Sequence, residues 1–238
     1  MKPLYIYFLA ASLACTSCSD SWLDLNPSTS VPTDQAFSSL EDAQSALNGI
    51  YRLASAHSYY GDNFFYFGDC RAADVQARMT KGDGRRVSPY YEYNVKATDS
   101  FNSSLPWNQV YKVIRQTNNL IAATESGLIK TTDEAALNEI KAQALAMRGL
   151  ALYDLIRVFA MPYSYDNGQS LGVPIVTTAT DQSSKPARNT VAECYDQIIA
   201  DLTGSLAGLS KEKKDGCLNY WAVQGILSRV YLNKLDYP

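Results

Sequence analysis

At three places the chain sets a serine or threonine three residues ahead of a glutamate, then continues with apolar residues at three- and four-residue steps. That is the pattern of a reciprocal helix cap opening an amphipathic helix, since hydroxyl and carboxylate each take up a backbone N–H that the first turn leaves without a partner. Ser38 and Glu41 open the first, with Leu40, Ala43, Leu47, Ile50 and Ala54 on one face, to about Ala56. Thr131 and Glu134 open the second, which runs through Ile140, Ala144, Met147, Ala151, Leu155 and Val158 until Pro162 ends it. Thr190 and Glu193 open the third, with Val191, Tyr195, Ile198, Ile199 and Leu202 inward, to about Leu209. Two helices lack the box. One runs from Trp107 through Val110, Ile114, Thr117, Ile121 and Thr124 to a stop at Gly127. The other is capped by Asn219 and continues through Trp221, Val223, Ile226, Leu227, Val230 and Leu235.

The last four of these helices form two consecutive hairpins, and Ala142, Ala144, Ala146, Gly149 and Ala151 are small enough to let a neighbouring helix approach closely. Such pairs predict a mainly α protein with tetratricopeptide-like helix pairs. They begin about 84 residues apart instead of the ~34 of a regular repeat, so the repeat is irregular and an ordinary helical bundle is the alternative. A loop-rich aromatic insertion separates the first helix from the hairpins. Residues 59–105 hold Gly61, Gly68, Gly82, Gly84 and Pro89 and no sustained helical period, which predicts loops with short strands or helical turns. Twelve aromatic residues lie between Tyr51 and Trp107, about twice what an even spread of the chain's seventeen tyrosines, seven phenylalanines and three tryptophans would put there. A second loop, residues 161–189, contains the short extended piece Gly172-Val-Pro-Ile-Val176, and Lys211 to Gly216 is a charged, solvated turn.

The N-terminus reads as an export signal: Lys2, an apolar run from Leu4 to Ala14, then Ala14-Cys15-Thr16-Ser17-Cys18. The run is too short to span a bilayer. Cys15 has bulky Leu13 two residues before it whereas Cys18 follows Thr16 and Ser17, so Cys18 is favoured as a lipid-modified cysteine, the alternative being an ordinary cleaved secretory signal. Residues 1–17 are then the signal, residues 18–37 a proline-containing tether in which Trp22, Leu23 and Leu25 pack onto the domain, and residues 38–238 the helical domain.

The charge balance, 21 Lys and Arg against 24 Asp and Glu, argues against a nucleic-acid partner. Cys70, Cys194 and Cys217 are an odd set without CxxC spacing, which reads as buried free thiols rather than a disulfide framework or a metal site. His57 is the only histidine, and it stands beside Ser58 at a helix end. Without a GxSxG, HExxH or GxxxxGK[ST] pattern, or a spacing that marks a carboxylate pair, the sequence predicts neither an enzyme nor a cofactor.

Several short motifs, in order, resemble the N-terminal half of the SusD/RagB family of nutrient-uptake lipoproteins. They are Ser17-Cys18-Ser19-Asp20, Trp22-Leu-Asp-Leu-Asn-Pro27, Asn48-Gly-Ile-Tyr51, Gly68-Asp-Cys-Arg-Ala-Ala-Asp-Val75, Trp107-Asn-Gln-Val-Tyr111 and Asn118-Asn-Leu-Ile121. Tyr153-Asp-Leu155, Phe159-Ala-Met-Pro162, Gly172 to Val176, Arg188-Asn-Thr-Val191 and Ser228-Arg-Val-Tyr-Leu232 continue the series. The resemblance implies a lipid-anchored outer-membrane protein that sits on a SusC/RagA-type TonB-dependent transporter and captures oligosaccharides, or peptides in the RagB branch, for import. Members of the family are much longer, so the chain answers to part of one. A role in docking the transporter without sugar binding is the other reading.

Sugar capture needs aromatic faces for the apolar faces of the rings and nearby donors and acceptors for the hydroxyls. The segment Asp83 to Tyr93 supplies them: Arg85, Tyr90, Tyr91 and Tyr93 are the candidate ligand-binding residues, with Asp74 and Asn102 as further hydrogen-bonding candidates. Tyr91 and Tyr93 could instead alternate along a core-facing strand. Trp107 matches a packing position, and Arg148 and Arg229, set in apolar helices, are expected to pair with internal carboxylates or helix ends.

Overall fold

The computed structural model describes residues 37–72, 88–94, 106–178 and 184–236. The signal, the tether with Cys18, and Asp74, Arg85 and Asn102 lie outside the described residues.

Among the described residues seven α-helices follow in order: α1 (Leu40–Ala54), α2 (Asn63–Asp69), α3 (Ser88–Tyr91), α4 (Trp107–Glu125), α5 (Glu134–Phe159), α6 (Val191–Ser205) and α7 (Tyr220–Lys234). Among the described residues, β pairing is limited to single bridges. The chain is mainly α, with the two helix pairs α4–α5 and α6–α7. Ala43, Leu47, Ile50 and Ala54 of α1 are buried at the steps read from the sequence and face α4 and α5. The middle of α5 is buried around nearly its whole circumference, because α1, α4 and α6 all pack on it. Its small residues serve that crowding: a Cβ on Gly149 would lie 2.9 Å from Leu202 Cγ and 3.2 Å from Asp201 Cβ of α6.

The caps follow the sequence at two helices and shift at two. Thr190 and Glu193 form the reciprocal box on α6, and Asn219 Oδ1 accepts from the Ala222 N–H at 2.9 Å. At α1 the box is one residue later than expected, on Ser39 and Asp42. Asp42 is the better neighbour, since its Oδ2 accepts from the Ser38 N–H, the Ser38 hydroxyl and the Ser39 N–H together. At α5 the cap is Asp133, whose Oδ1 accepts from the Ala136 N–H at 3.0 Å, while the Thr131 hydroxyl accepts from the Asp133 N–H one step upstream. Gly127, at φ +71°, follows the end of α4 in the left-handed conformation that releases the chain from the helix.

Arg148 is 8% exposed and closes the hairpins onto each other. Its Nε and one terminal nitrogen donate to the two carboxylate oxygens of Asp201 on α6 at 2.8 and 2.6 Å. The other terminal nitrogen donates to Asn118 Oδ1 of α4 and to the Thr177 carbonyl. The Asn118 amide in turn donates to the Val176 and Thr178 carbonyls. The expected internal pairing of Arg148 is thus present, and it fixes the extended segment from Gly172, which also pairs with Asn189 through backbone bonds.

Three expectations fail on the last helix. Arg229 is exposed and makes no ion pair with an internal carboxylate, because its position lies off the buried face defined by Val223, Ile226, Leu227 and Val230. Trp221 is 61% exposed for the same reason, and Leu235, which follows α7 in the left-handed conformation, is 52% exposed. Trp107 is half-buried, tilted against Tyr111 and edge-on to Phe159 with ring centres 4.9 Å apart in both contacts. Cys70 and Cys194 are buried free thiols, and Cys217 is a half-buried one.

Candidate functional site

The chain leaves α1 into an irregular π-type turn, His57–Gly61. Gly61 permits it, since a Cβ there would sit 2.8 Å from the Ala56 carbonyl group. Tyr59 breaks the helical backbone at φ −132°, ψ −115°, and its ring stacks on that of Tyr60 with centres 4.1 Å apart. Phe64 of α2 meets both rings edge-on at 5.8 and 5.5 Å, and Phe65 meets Phe64 the same way. Aromatic pairs in this arrangement gain beyond their buried area, so four rings in a short stretch of chain form one block.

A single carboxylate fastens that block to the scaffold. Asp154 on α5 is 2% exposed, and its Oδ2 accepts from the Tyr59 hydroxyl at 2.6 Å and from the Tyr60 hydroxyl. Its Oδ1 faces Arg157 at 3.3 Å. Burial pushes the Asp154 carboxyl above its ordinary value, against the opposing pull of the tyrosines and of Arg157 and Arg229. The same burial, with the Asp154 charge, pushes both tyrosine hydroxyls up, so they stay protonated donors. His57 is exposed on the far side of the turn, its Nδ1 2.7 Å from Asp62 Oδ2.

Between α2, α5 and α7 the block borders a groove of about 630 Å³. Tyr60, Phe64, Phe65 and Phe67 form one wall, Leu218, Ala222 and Ile226 the other, and Asp154, Arg157, Asp69 and Arg229 are its charged groups. The Arg157 guanidinium lies 5.6 Å from the centre of the Phe64 ring and 5.3 Å from that of Tyr153.

The candidate tyrosines adjoin this block. Residues 88–91 form the short helix α3 rather than a strand. Tyr90 is 4% exposed, edge-on to Phe67 at 5.7 Å, so it supports the surface from behind. Tyr91 is half-buried. Tyr93 is 68% exposed with φ +54°, and its hydroxyl donates to the Arg71 carbonyl. The Arg71 guanidinium lies 4.7 Å from the centre of the Phe67 ring and 6.0 Å from that of Tyr93. Tyr90 and Tyr93 are therefore brought together with Phe67 and Arg71. The run from Tyr59 to Phe67 is more densely aromatic than the loop that follows it, and that density was the available signal for the block. Nothing local marked Asp154 as its anchor. Among the described residues no cluster of His, Cys, Asp and Glu could hold a metal ion, and no helix is long and apolar enough to cross a membrane.

Helix pairs carrying an aromatic insertion define a mainly α class of protein, and comparison with known proteins specifies it. A family model described as starch-binding and associating with the outer membrane matches residues 21–232. The chain belongs to the SusD-like family. Among solved structures, a SusD superfamily protein from Bacteroides thetaiotaomicron VPI-5482 is 64% identical with a TM-score of 0.79, over 84% of this chain and 43% of that one. A SusD superfamily protein from Bacteroides vulgatus ATCC 8482 gives 34% identity and a TM-score of 0.79, over 84% and 44%. SusD-like protein P2 of Formosa agariphila is 30% identical over all of this chain and 44% of its own length. The chain thus spans less than half the length of the relatives it matches.

Proposed function

We propose that the protein is a surface lipoprotein, anchored through Cys18, that captures oligosaccharides without turning them over and passes them to a SusC-like TonB-dependent transporter. The observation that carries this reading is the aromatic block at 57–69 with the adjoining 88–94 segment. Phe65, Tyr66 and Tyr93 leave 47%, 36% and 68% of their surface open to solvent, beside Arg71 and Asp69. Flat rings next to a donor and an acceptor are what a sugar offering CH faces and hydroxyls requires. Arg85, Asp74 and Asn102 are the further ligand-binding residues of this proposal. Calorimetric titration with oligosaccharide libraries is expected to show binding, with no reducing ends released on long incubation. Phe65→Ala combined with Tyr93→Ala should weaken binding about tenfold or more, stacked rings each contributing on the order of 1 kcal/mol. Unchanged affinity in that double variant defeats the surface. Release of reducing sugar defeats the non-enzymatic reading.

One observation favours a second reading, docking to the transporter without sugar binding. The outer side of α7 exposes Trp221, Leu232 and Leu235 at 61%, 62% and 52%. Co-purification with a large β-barrel partner, abolished by Trp221→Ser, together with no retention on glycan affinity gels, would establish it.

A further inference from the structure

The groove beside the aromatic block presents an arginine that no carboxylate of its lining pairs with. Two arginines from different helices converge on it, Arg157 of α5 and Arg229 of α7, and both act on the one buried carboxylate, Asp154. That carboxylate is already occupied, since two tyrosine hydroxyls donate to one of its oxygens. Arg157 reaches the other only at 3.3 Å through a single nitrogen and keeps 41% of its side chain open. Two rings flank its guanidinium, which limits its swing and leaves its remaining N–H groups for a ligand. Arg229 is exposed, and among the described residues its side chain has no hydrogen-bond or ion-pair partner. Arg157 is thus the guanidinium within reach of Asp154, and Arg229 stands in the groove without a paired carboxylate. Asp69, the other carboxylate of the lining, is exposed as Arg229 is, and among the described residues it makes no ion pair with either arginine.

We propose that this groove holds the carboxylate of an acidic sugar unit, a uronate, between Arg157 and Arg229, with the Phe64 and Phe65 rings against the sugar. A planar carboxylate matches the planar guanidinium fork, which it can accept from with both oxygens. An aromatic wall next to the two cations gives the apolar face of the same sugar its contact. The inference rests on the glycan-capture reading and narrows it to chains that carry such units.

The test is calorimetric titration of the full chain with trigalacturonate and, in parallel, with maltotriose and a sulfated neutral trisaccharide, at low and at raised salt. Trigalacturonate is expected to bind about tenfold or more tighter than maltotriose, with the margin shrinking as salt is added. Arg229→Gln and Arg157→Gln should each collapse that ratio, while the melting temperature of the Arg229 variant, altered at an exposed position, stays put. A ratio near one in the natural chain, or one that Arg229→Gln leaves intact, overturns the acidic site while leaving glycan capture standing. Equal binding of the sulfated sugar overturns the carboxylate assignment. Binding of none of the three sugars overturns the acidic site, while glycan capture stands or falls by the oligosaccharide libraries.

Discussion

Gly149 and Gly225 sit in the middle of helices and should respond to the same substitution in opposite directions. A methyl group on Gly149 meets Leu202 and Asp201 inside the α5–α6 contact, whereas one on Gly225 has nothing within 4 Å. Alanine gains about 0.5–1 kcal/mol over glycine in a helix, and Gly225→Ala should show that gain in urea unfolding. In Gly149→Ala the strain of overpacking, on the order of 1–3 kcal/mol, is expected to exceed it and lower the urea midpoint. At Asp154 the relevant variable is pH. Its carboxyl is raised in the folded state by burial, so the folded chain holds that proton more tightly than the unfolded one does. Its contribution is therefore greatest below the ordinary carboxyl value and is lost as pH rises through the raised one. Unfolding free energies of the natural chain and Asp154→Asn should consequently diverge as pH rises above the ordinary carboxyl range, with the natural chain losing stability relative to the variant as pH increases. The opposite slope would contradict the burial account.

At the scale of an element, the caps show what a linear sequence can and cannot reveal. Thr190→Ala removes the hydroxyl that accepts from the Glu193 N–H and should cost about 1 kcal/mol of unfolding free energy. Hydrogen bonds from Thr190 and Asn189 hold the Glu193 carboxyl below its ordinary value, so its contribution is present at neutral pH and is lost as pH falls through that lowered value. This box was legible because nothing nearby competes with it. The boxes at Ser38 and Thr131 were displaced because an aspartate supplies the cap instead: Asp42 takes the N–H groups of Ser38 and Ser39, and Asp133 takes that of Ala136, two residues further along than the expected box would reach. The spacing rule gives the helix start to within a residue or two, and side-chain reach decides the rest. The aromatic insertion was legible as a place and not as a shape. Its backbone follows from the break at Tyr59, the close turn at Gly61 and the pull of a carboxylate far along the chain.

Across the whole molecule, two arginines in apolar helices met opposite fates. Arg148 faces inward and ties α4, α5, α6 and the segment at 176–178 into one network. Arg229 lies off the buried face of α7 and opens onto the groove. Residue type and local hydrophobicity were the same for both. Only the rotation of each helix against its neighbours, a tertiary property, separates them. Arg148→Met should cost roughly 3–5 kcal/mol, since it strands the buried Asp201 charge, and the unfolding transition should move as one because α4, α5 and α6 lose a shared partner. An equivalent change at Arg229 should leave the transition where it is. The attachment of Tyr59 and Tyr60 to Asp154 has a further consequence for kinetics. Rings stacked on each other and bonded to a carboxylate on a helix packed from several sides have few rotamers to give up when a ligand arrives. Binding at this wall should therefore proceed as a single fast phase whose rate rises linearly with ligand concentration, and freeing the rings with Asp154→Ala should introduce a slower, saturating step in stopped-flow fluorescence.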